Sequence, residues 1–316
     1  MKILHVGDIA FVASTLSRRL NQKKHAALVL SKAKGELAYK SSQNIKVARN
    51  IFDELNLCRE NLNAYDIIHD HYLINYFSLG LRLKNVNKPI VLHCHGSDTR
   101  PKNIIEKGIQ RFVTGNHKFL LYSTPDLLEN IQWFKGRCIY LPNPVDISDI
   151  AVQDRNKQER VLIFGTLNRL KETENLIGLI ARSNLQLDII DVGPDRKYFK
   201  HKMPKNVKFI KPVAQDEVTK LLSGYALVIG ASQDGTIRTS ELQSMALGIP
   251  TLFPFRYNDF YNESLPMPDD WQNNFEQYLG DRALGERQRQ WVDLYHSTPV
   301  VVDQLVDIYN RIRSDS

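Results

Sequence analysis

Two pairs of alternating histidines, His69/His71 and His93/His95, end two short apolar runs of the sequence. Alternate residues of a strand share one face, so the two imidazoles of a pair project the same way. His95 continues into Gly96-Ser97-Asp98, where the glycine permits a tight turn and leaves His95 and Asp98 at a strand end. An imidazole there could exchange a hydrogen bond with a substrate hydroxyl while Asp98 fixes its tautomer. A histidine satisfied within the fold is the plainer reading of the same string. The other pair lies in Asp66-Ile67-Ile68-His69-Asp70-His71-Tyr72. Four imidazoles could in principle gather around zinc. However, no carboxylate or thiolate is placed to complete a hydrolytic site, at most two of the four need share one cleft, and no metal is expected.

Three further segments could hold an anion. Gly7-Asp8-Ile9-Ala10 joins the first apolar run to a helix containing Ser14 and Thr15. It is not the G-x-G-x-x-G of dinucleotide sites, yet a small-residue turn at a helix start still offers backbone N–H groups. A plain strand-to-helix turn explains it nearly as well. In the second half, an apolar run enters Gly165-Thr166-Leu167-Asn168-Arg169-Leu170-Lys171. Gly165 lets a ligand approach the main chain, and Arg169 with Lys171 could neutralise charge building on a departing diphosphate. A solvated basic turn is the alternative. Finally, Ala231-Ser232-Gln233-Asp234-Gly235-Thr236 leads into a helix carrying Glu241 and Gln243, closed by Gly248-Ile249-Pro250. Amides near Gly235 and Thr236 suit a phosphate, and Glu241 could accept both hydroxyls of a ribose or stand as an ordinary surface residue.

These segments need a frame that puts strand ends together. Short apolar runs alternate with stretches of helical period, the pattern of parallel sheets wrapped by helices. Strands are expected at Ile3–Val6, Ala26–Val29, Ile67–His69, Ile90–His93, Phe119–Tyr122 and Cys138–Leu141, with helices at Phe11–Leu20, Tyr76–Leu83 and Asn103–Val113. Thr124 followed by Pro125 reads as a further helix start. The prolines of Leu141-Pro142-Asn143-Pro144-Val145-Asp146 then interrupt the pattern, and a polar stretch follows. Strands resume at Val161–Phe164, Leu187–Val192, Val207–Ile210, Ala226–Ile229 and Thr251–Phe253, with helices at Glu174–Ala181, Asp216–Leu222 and Thr239–Ala246. After Pro268 the chain reads as helical, with a cap-then-proline start at Thr298-Pro299 and an apolar stripe over Val300–Ile312. The expected domains are residues 1–146 and 147–296, with a last helix, 297–316, packed back on the first.

A chain of 316 residues suits two α/β domains rather than one core. Its 42% apolar and 24% charged residues are those of a soluble globular protein, and no run is long enough for a membrane span. Cys58, Cys94 and Cys138 have no metal-type spacing and read as free thiols in a reducing cytosol. The net charge of +7 is uneven: residues 1–145 hold 21 basic against 11 acidic side chains, the remainder 21 against 24. A basic first half permits peripheral contact with an anionic membrane or a lipid pyrophosphate. Nucleic acid is disfavoured, because no binding module or aromatic-basic interleaving accompanies the charge.

Taken in order, six strings resemble the family-4 (group 1) glycosyltransferases of the GT-B fold, in their archaeal-type variant. They are His5 to Ala10, Asp66 to Tyr72, His95 to Asp98, Leu141 to Asp146, Lys171, and Met245 to Pro250. The resemblance implies two facing Rossmann-like, doubly wound α/β domains with a cleft between them. It also implies a retaining, metal-independent, cytoplasmic transferase that needs no cofactor beyond a UDP- or GDP-linked sugar. His95 and Asp98 would stand at the reaction centre, and Gly7, Asp8 and His71 on the side of a glycan or lipid-linked acceptor. Gly165, Arg169, Lys171, Asp234, Gly235, Thr236, Glu241 and Gln243 would hold the donor. Two departures accompany this. Thr166 stands where the family commonly has arginine, and the family's pair of glutamates seven residues apart falls on Gly235 and Gln243, or on Gln233 and Glu241. The pair is broken in either register, which leaves a second expectation: a degenerate GT-B protein that binds a sugar nucleotide or a partner without turnover.

Overall fold

The computed structural model describes residues 1–32, 44–48, 53, 56–57, 60, 62–71, 88–96, 108, 111–112, 114, 117–146, 160–167, 176, 178–179, 183–231 and 235–315. Among these, strands β1 to β7 are Lys2–Val6, Ala26–Lys32, Ile45–Ala48, Ile67–Asp70, Ile90–Cys94, Phe119–Tyr122 and Arg137–Tyr140. Strands β8 to β12 are Val161–Phe164, Leu187–Ile190, Val207–Ile210, Leu227–Gly230 and Thr251–Leu252. Helices α1 to α8 are Val12–Gln22, Leu127–Asn130, Arg196–Lys202, Val218–Leu222, Thr239–Ala246, Trp271–Asn274, Arg282–His296 and Thr298–Ser314.

The strands form two sheets, ordered β3-β2-β1-β4-β5-β6-β7 and β10-β9-β8-β11-β12, and every pairing is parallel. Each sheet starts in its middle, winds outward, then reverses, between β1 and β4 in one and between β8 and β11 in the other. Both are therefore doubly wound α/β sheets. The chain separates into two compact units: Met1–Gly35, Ser41–Pro144 and Thr298–Ser316 make one, and the other is centred on Val145–Ser297.

The buried runs explain the strands. Residues of β4, β6, β9 and β11 are buried on both faces, which selects the continuous apolar stretches of a covered parallel sheet. In the first unit, Ile3, Ile67, Val91, Phe119 and Leu121 form one face under Leu16 and Leu20 of α1 and Val301, Leu305, Ile308 and Ile312 of α8. An ion pair of Lys23 with Asp303 ties α1 to α8. In the second unit, Ile163, Ile189, Ile229 and Leu252 meet Phe199, Trp271 and Phe275.

The sequence pattern anticipates these strands to within a residue or two, apart from β3 and from β2, which runs three residues beyond its expected end at Val29. The helix expected from Pro125 begins at Leu127, after a turn at 124–126. Helices expected at Tyr76–Leu83, and most of those at Asn103–Val113 and Glu174–Ala181, lie outside the described residues. No helix among the described residues is long and apolar enough to cross a membrane.

Candidate functional site

Ligands of open parallel sheets bind beyond the carboxyl ends of the strands, where the strand order reverses. In the first sheet this is the end of β1 and β4. There the face that is aliphatic at Ile3, Ile67, Val91 and Phe119 turns polar. The register pairs His5 with His69, and continues one level on to His71 beside His93 and Ser123 beside His95. Five imidazoles from β1, β4 and β5 and the turns after them thus share one face. His5, His69, His71 and His93 are fully buried, and His95 keeps partial exposure.

Their ring nitrogens form one continuous hydrogen-bonded chain. His5 Nδ1 meets His71 Nε2 at 2.9 Å, and His71 Nδ1 meets His95 Nε2 at 3.0 Å. His95 Nδ1 lies 2.8 Å from the Ser123 hydroxyl, which is 2.9 Å from His93 Nε2. His93 Nδ1 then meets His69 Nε2 at 3.1 Å, and His69 Nδ1 meets the Tyr309 hydroxyl of α8 at 2.6 Å. Ser123 donates its own proton to the Cys94 carbonyl at 3.0 Å, so it must accept from both imidazoles. That assignment propagates: His95 and His93 donate to Ser123, His71 donates to His95, His5 to His71, His69 to His93, and Tyr309 to His69. Every proton finds an acceptor, and His5 Nε2 is left as a buried nitrogen without a hydrogen-bond partner among the described residues.

Burial keeps these rings neutral. It pushes His5 and His95 down to about 3, the latter opposed by a side-chain hydrogen bond with Asn143. His69, His71 and His93 are also held well below the usual histidine value, first by burial and then by neighbouring imidazoles. Burial raises the Tyr309 hydroxyl well above its ordinary value, so it stays a donor.

Among the residues singled out in the sequence, Gly7, His71 and His95 come together here. Gly7 has φ +80°, and a side-chain carbon on it would sit 3.8 Å from His71 Cβ. Asp8 turns away: its carboxylate accepts from the Ser14 amide at 3.1 Å and from the Ser14 hydroxyl, tying the loop to α1. Ala10 and Phe11 in that loop hold left-handed backbone, at φ 49° and 62°, an uncommon state for side-chain-bearing residues. Asp98 lies outside the described residues, and His95 takes its tautomer from Ser123 and His71.

The end of β8 and β11 in the second unit is built from small residues. Gly165 has φ +142°, and a Cβ there would stand 3.0 Å from Ala231 Cβ and 3.7 Å from Ser240 Oγ of α5. Gly230 packs as closely, with a would-be Cβ 2.6 Å from Glu241 Oε1. Glu241 is buried, and its Oε2 accepts from the Arg238 amide at 3.1 Å and the Ser240 hydroxyl at 2.9 Å. As the third residue of α5 it therefore closes the start of its own helix. Gly235 has φ +83° and lies under Arg256, whose backbone N–H donates to the Gly235 carbonyl at 3.1 Å and whose side chain is 2.8 Å from where a Cβ would be. Thr236 is buried beside it, and Gln243 is half-buried on α5. Arg169, Lys171 and Asp234 lie outside the described residues.

No family model and no curated protein matches the sequence. Solved structures do. Sucrose-phosphate synthase from Thermosynechococcus elongatus superposes with a TM-score of 0.73 at 14% identity, over 100% of both chains. HepE from Anabaena, solved with UDP and with UDP-glucose, gives 0.70 at 13% identity over 98% of this chain and 100% of its own. A glycosyltransferase from Rickettsia africae gives 0.67 at 13% identity, over 100% and 99%. The fold is GT-B. Within that GT-B frame the structure adds residues the sequence reading passed over: His5, Ser123 and Tyr309 in the first unit, and Arg256 in the second. The available signal for Ser123 was its place directly after an apolar run, like His71 and His95. His5 sits inside such a run and gave none.

Proposed function

We propose that the chain is a retaining, metal-independent glycosyltransferase of family 4, archaeal-type, moving a sugar from a UDP- or GDP-linked donor to a hydroxyl of a glycan or lipid-linked acceptor. The observation that carries this reading is whole-length likeness to GT-B glycosyltransferases, one of them solved with UDP-glucose. In this reading the first unit, residues 1–146 with the helix 297–316, serves the acceptor, and residues 147–296 serve the donor. The amides near Gly235 and Thr236, with Arg169 and Lys171, hold the diphosphate, and Gly165 lets it approach the main chain. Glu241, Asp234 and Gln243 are assigned to the nucleoside and the sugar, and Arg256, over Gly235, adds a further cation. Gly7, Asp8 and His71 line the acceptor side with Asp98.

His95 serves the transferred sugar. Because its Nε2 accepts from His71, a sugar hydroxyl would replace that donor rather than fill an empty valence. Departure of the diphosphate with front-face attack by the acceptor is the assigned reaction, since cations at the phosphate turn would offset the charge that builds on the leaving group. The protein works in the cytoplasm, and its basic first half gives it a peripheral affinity for anionic membranes.

The test is nucleotide release measured over a panel of nucleotide-sugars and acceptors, with Lys171→Ala alongside. Full activity and donor affinity in that variant would remove the diphosphate assignment. A second reading, binding without turnover, is favoured by one observation: Glu241 is committed to its helix start. Raised melting temperature with a nucleoside diphosphate, but no release from any donor, would select it.

A further inference from the structure

The histidine chain brings together more imidazole nitrogens than the transferase reading uses, which takes His95 for the sugar and His71 for the acceptor side. An ion held there would therefore compete with a sugar hydroxyl for His95 Nε2. Two sets of three imidazoles, His71/His93/His95 and His5/His69/His71, each present ligand nitrogens within 4.8 Å of one another. They share His71, so one ion at a time can be held. We propose that His71, His93 and His95 form a binding site for a divalent transition cation that prefers imidazole, of the zinc, cobalt or nickel type, with solvent completing its coordination on the exposed side of His95. This inference does not depend on the transferase reading.

Four observations support it. The distance comes first: His71 Nδ1 and His95 Nε2 are 3.0 Å apart, against about 3.3 Å for two imidazoles on a tetrahedral ion at about 2.0–2.1 Å, so a small opening suffices for that pair, and His93 lies within 4.8 Å of both. The donors select the ion, since nitrogen sets without carboxylate favour zinc, copper and nickel over magnesium, calcium or manganese. The supporting contacts are already in place, because a ligating histidine needs its other nitrogen held. His71 Nε2 is held by His5, His95 Nδ1 by Ser123, and His93 Nδ1 by His69, so His93 has to release Ser123 to offer its Nε2 to the ion.

The last concerns the proton. A cation between His71 and His95 displaces the proton from His71 Nδ1. Ligation by His93 Nε2 displaces a second proton, and the balance closes within the protein. His93 takes the Nδ1–H tautomer and donates to His69 Nε2, and the His69 proton moves to Nδ1 and is accepted by the Tyr309 oxygen. His71 takes the Nε2–H tautomer and donates to His5 Nδ1, while the His5 proton moves to His5 Nε2. This is the buried nitrogen that has no partner among the described residues of the metal-free chain. Burial also keeps the rings in the neutral form that ligates.

The experiment is a titration of tag-free, chelator-treated protein with cobalt(II) and then zinc(II), read by equilibrium dialysis and by the visible ligand-field bands of cobalt. One ion per chain is expected, with a nitrogen-ligand spectrum, displacement by zinc and no uptake of magnesium. His71→Gln should weaken binding at least about 100-fold, and His5→Phe about 10-fold by loosening His71. Circular dichroism reports whether each variant folds, and His95→Asn, at the partly exposed position, replaces His71→Gln if that variant does not. No stoichiometric uptake by the wild-type chain overturns the proposal. So do thiolate charge-transfer bands, or unchanged affinity in the folded variants.

Discussion

The two sheets end in the same topological position and are finished in opposite ways. Beyond β1 and β4 the chain places imidazoles, a hydroxyl and a phenol that satisfy one another. Beyond β8 and β11 it places glycines at positive φ, an alanine and the start of α5, with Arg256 above Gly235. Side chains organise the first end; backbone shape organises the second. A side-chain network is sensitive to protonation and to loss of any member, whereas a glycine turn is sensitive to added atoms.

Acid is the strongest way to separate them. Each clustered histidine is neutral in the folded state and regains its ordinary value of 6.5 on unfolding. The unfolded chain thus binds more protons below pH 6.5, and stability present above that value is lost as pH falls. Between about pH 7.5 and 5.5 the loss is about 1.4 kcal/mol for each histidine that stays neutral, a large share of the roughly 5–15 kcal/mol of a typical domain. Hydrogen exchange on metal-free protein at pH 5.5 should show β4 and β5 opening while β8 and β11 stay protected. Equal protection in both sheets would erase the contrast.

Smaller effects follow from single changes. His93→Leu strands His69 and one acceptor valence of Ser123, and should cost about 3 kcal/mol in urea denaturation. Gly165→Val combines a disfavoured φ with contact against Ala231, and should cost about 2 kcal/mol and weaken nucleoside diphosphate binding in calorimetry. Arg256→Ala, on an exposed side chain, should leave stability within about 0.5 kcal/mol while raising the donor KM several-fold. If Arg256→Ala were the more destabilising of these two, the second end would not be organised by backbone shape.

What the sequence carried is uneven in the same way. Strands such as Val161–Phe164 are legible because four buried apolar residues between polar neighbours admit few alternatives. The edge strand Ile45–Ala48 is not, since its two central residues are exposed and one is a lysine. The H-x-H pairs announce imidazoles facing one way, but their gathering depends on β1 lying beside β4 and on a register that spans 64 residues. Tyr309 closes the chain from 240 residues away. Glu241 was legible as an acid on a helix; that it turns back on its own amides depends on the helix beginning at Thr239.

The hydrogen bond from Tyr309 to His69 has a consequence for how the protein is made. A ribosome delivers residues 1–144 before α8, with residues 145–297 in between. The first unit cannot finish covering the aliphatic face of its sheet, which α1 covers only in part, or give His69 its donor, until α8 has left the exit tunnel. Residues 145–297 can complete their own core before that moment. The nascent chain therefore finishes its halves in reverse order of synthesis, with the imidazole face waiting open for α8 to arrive.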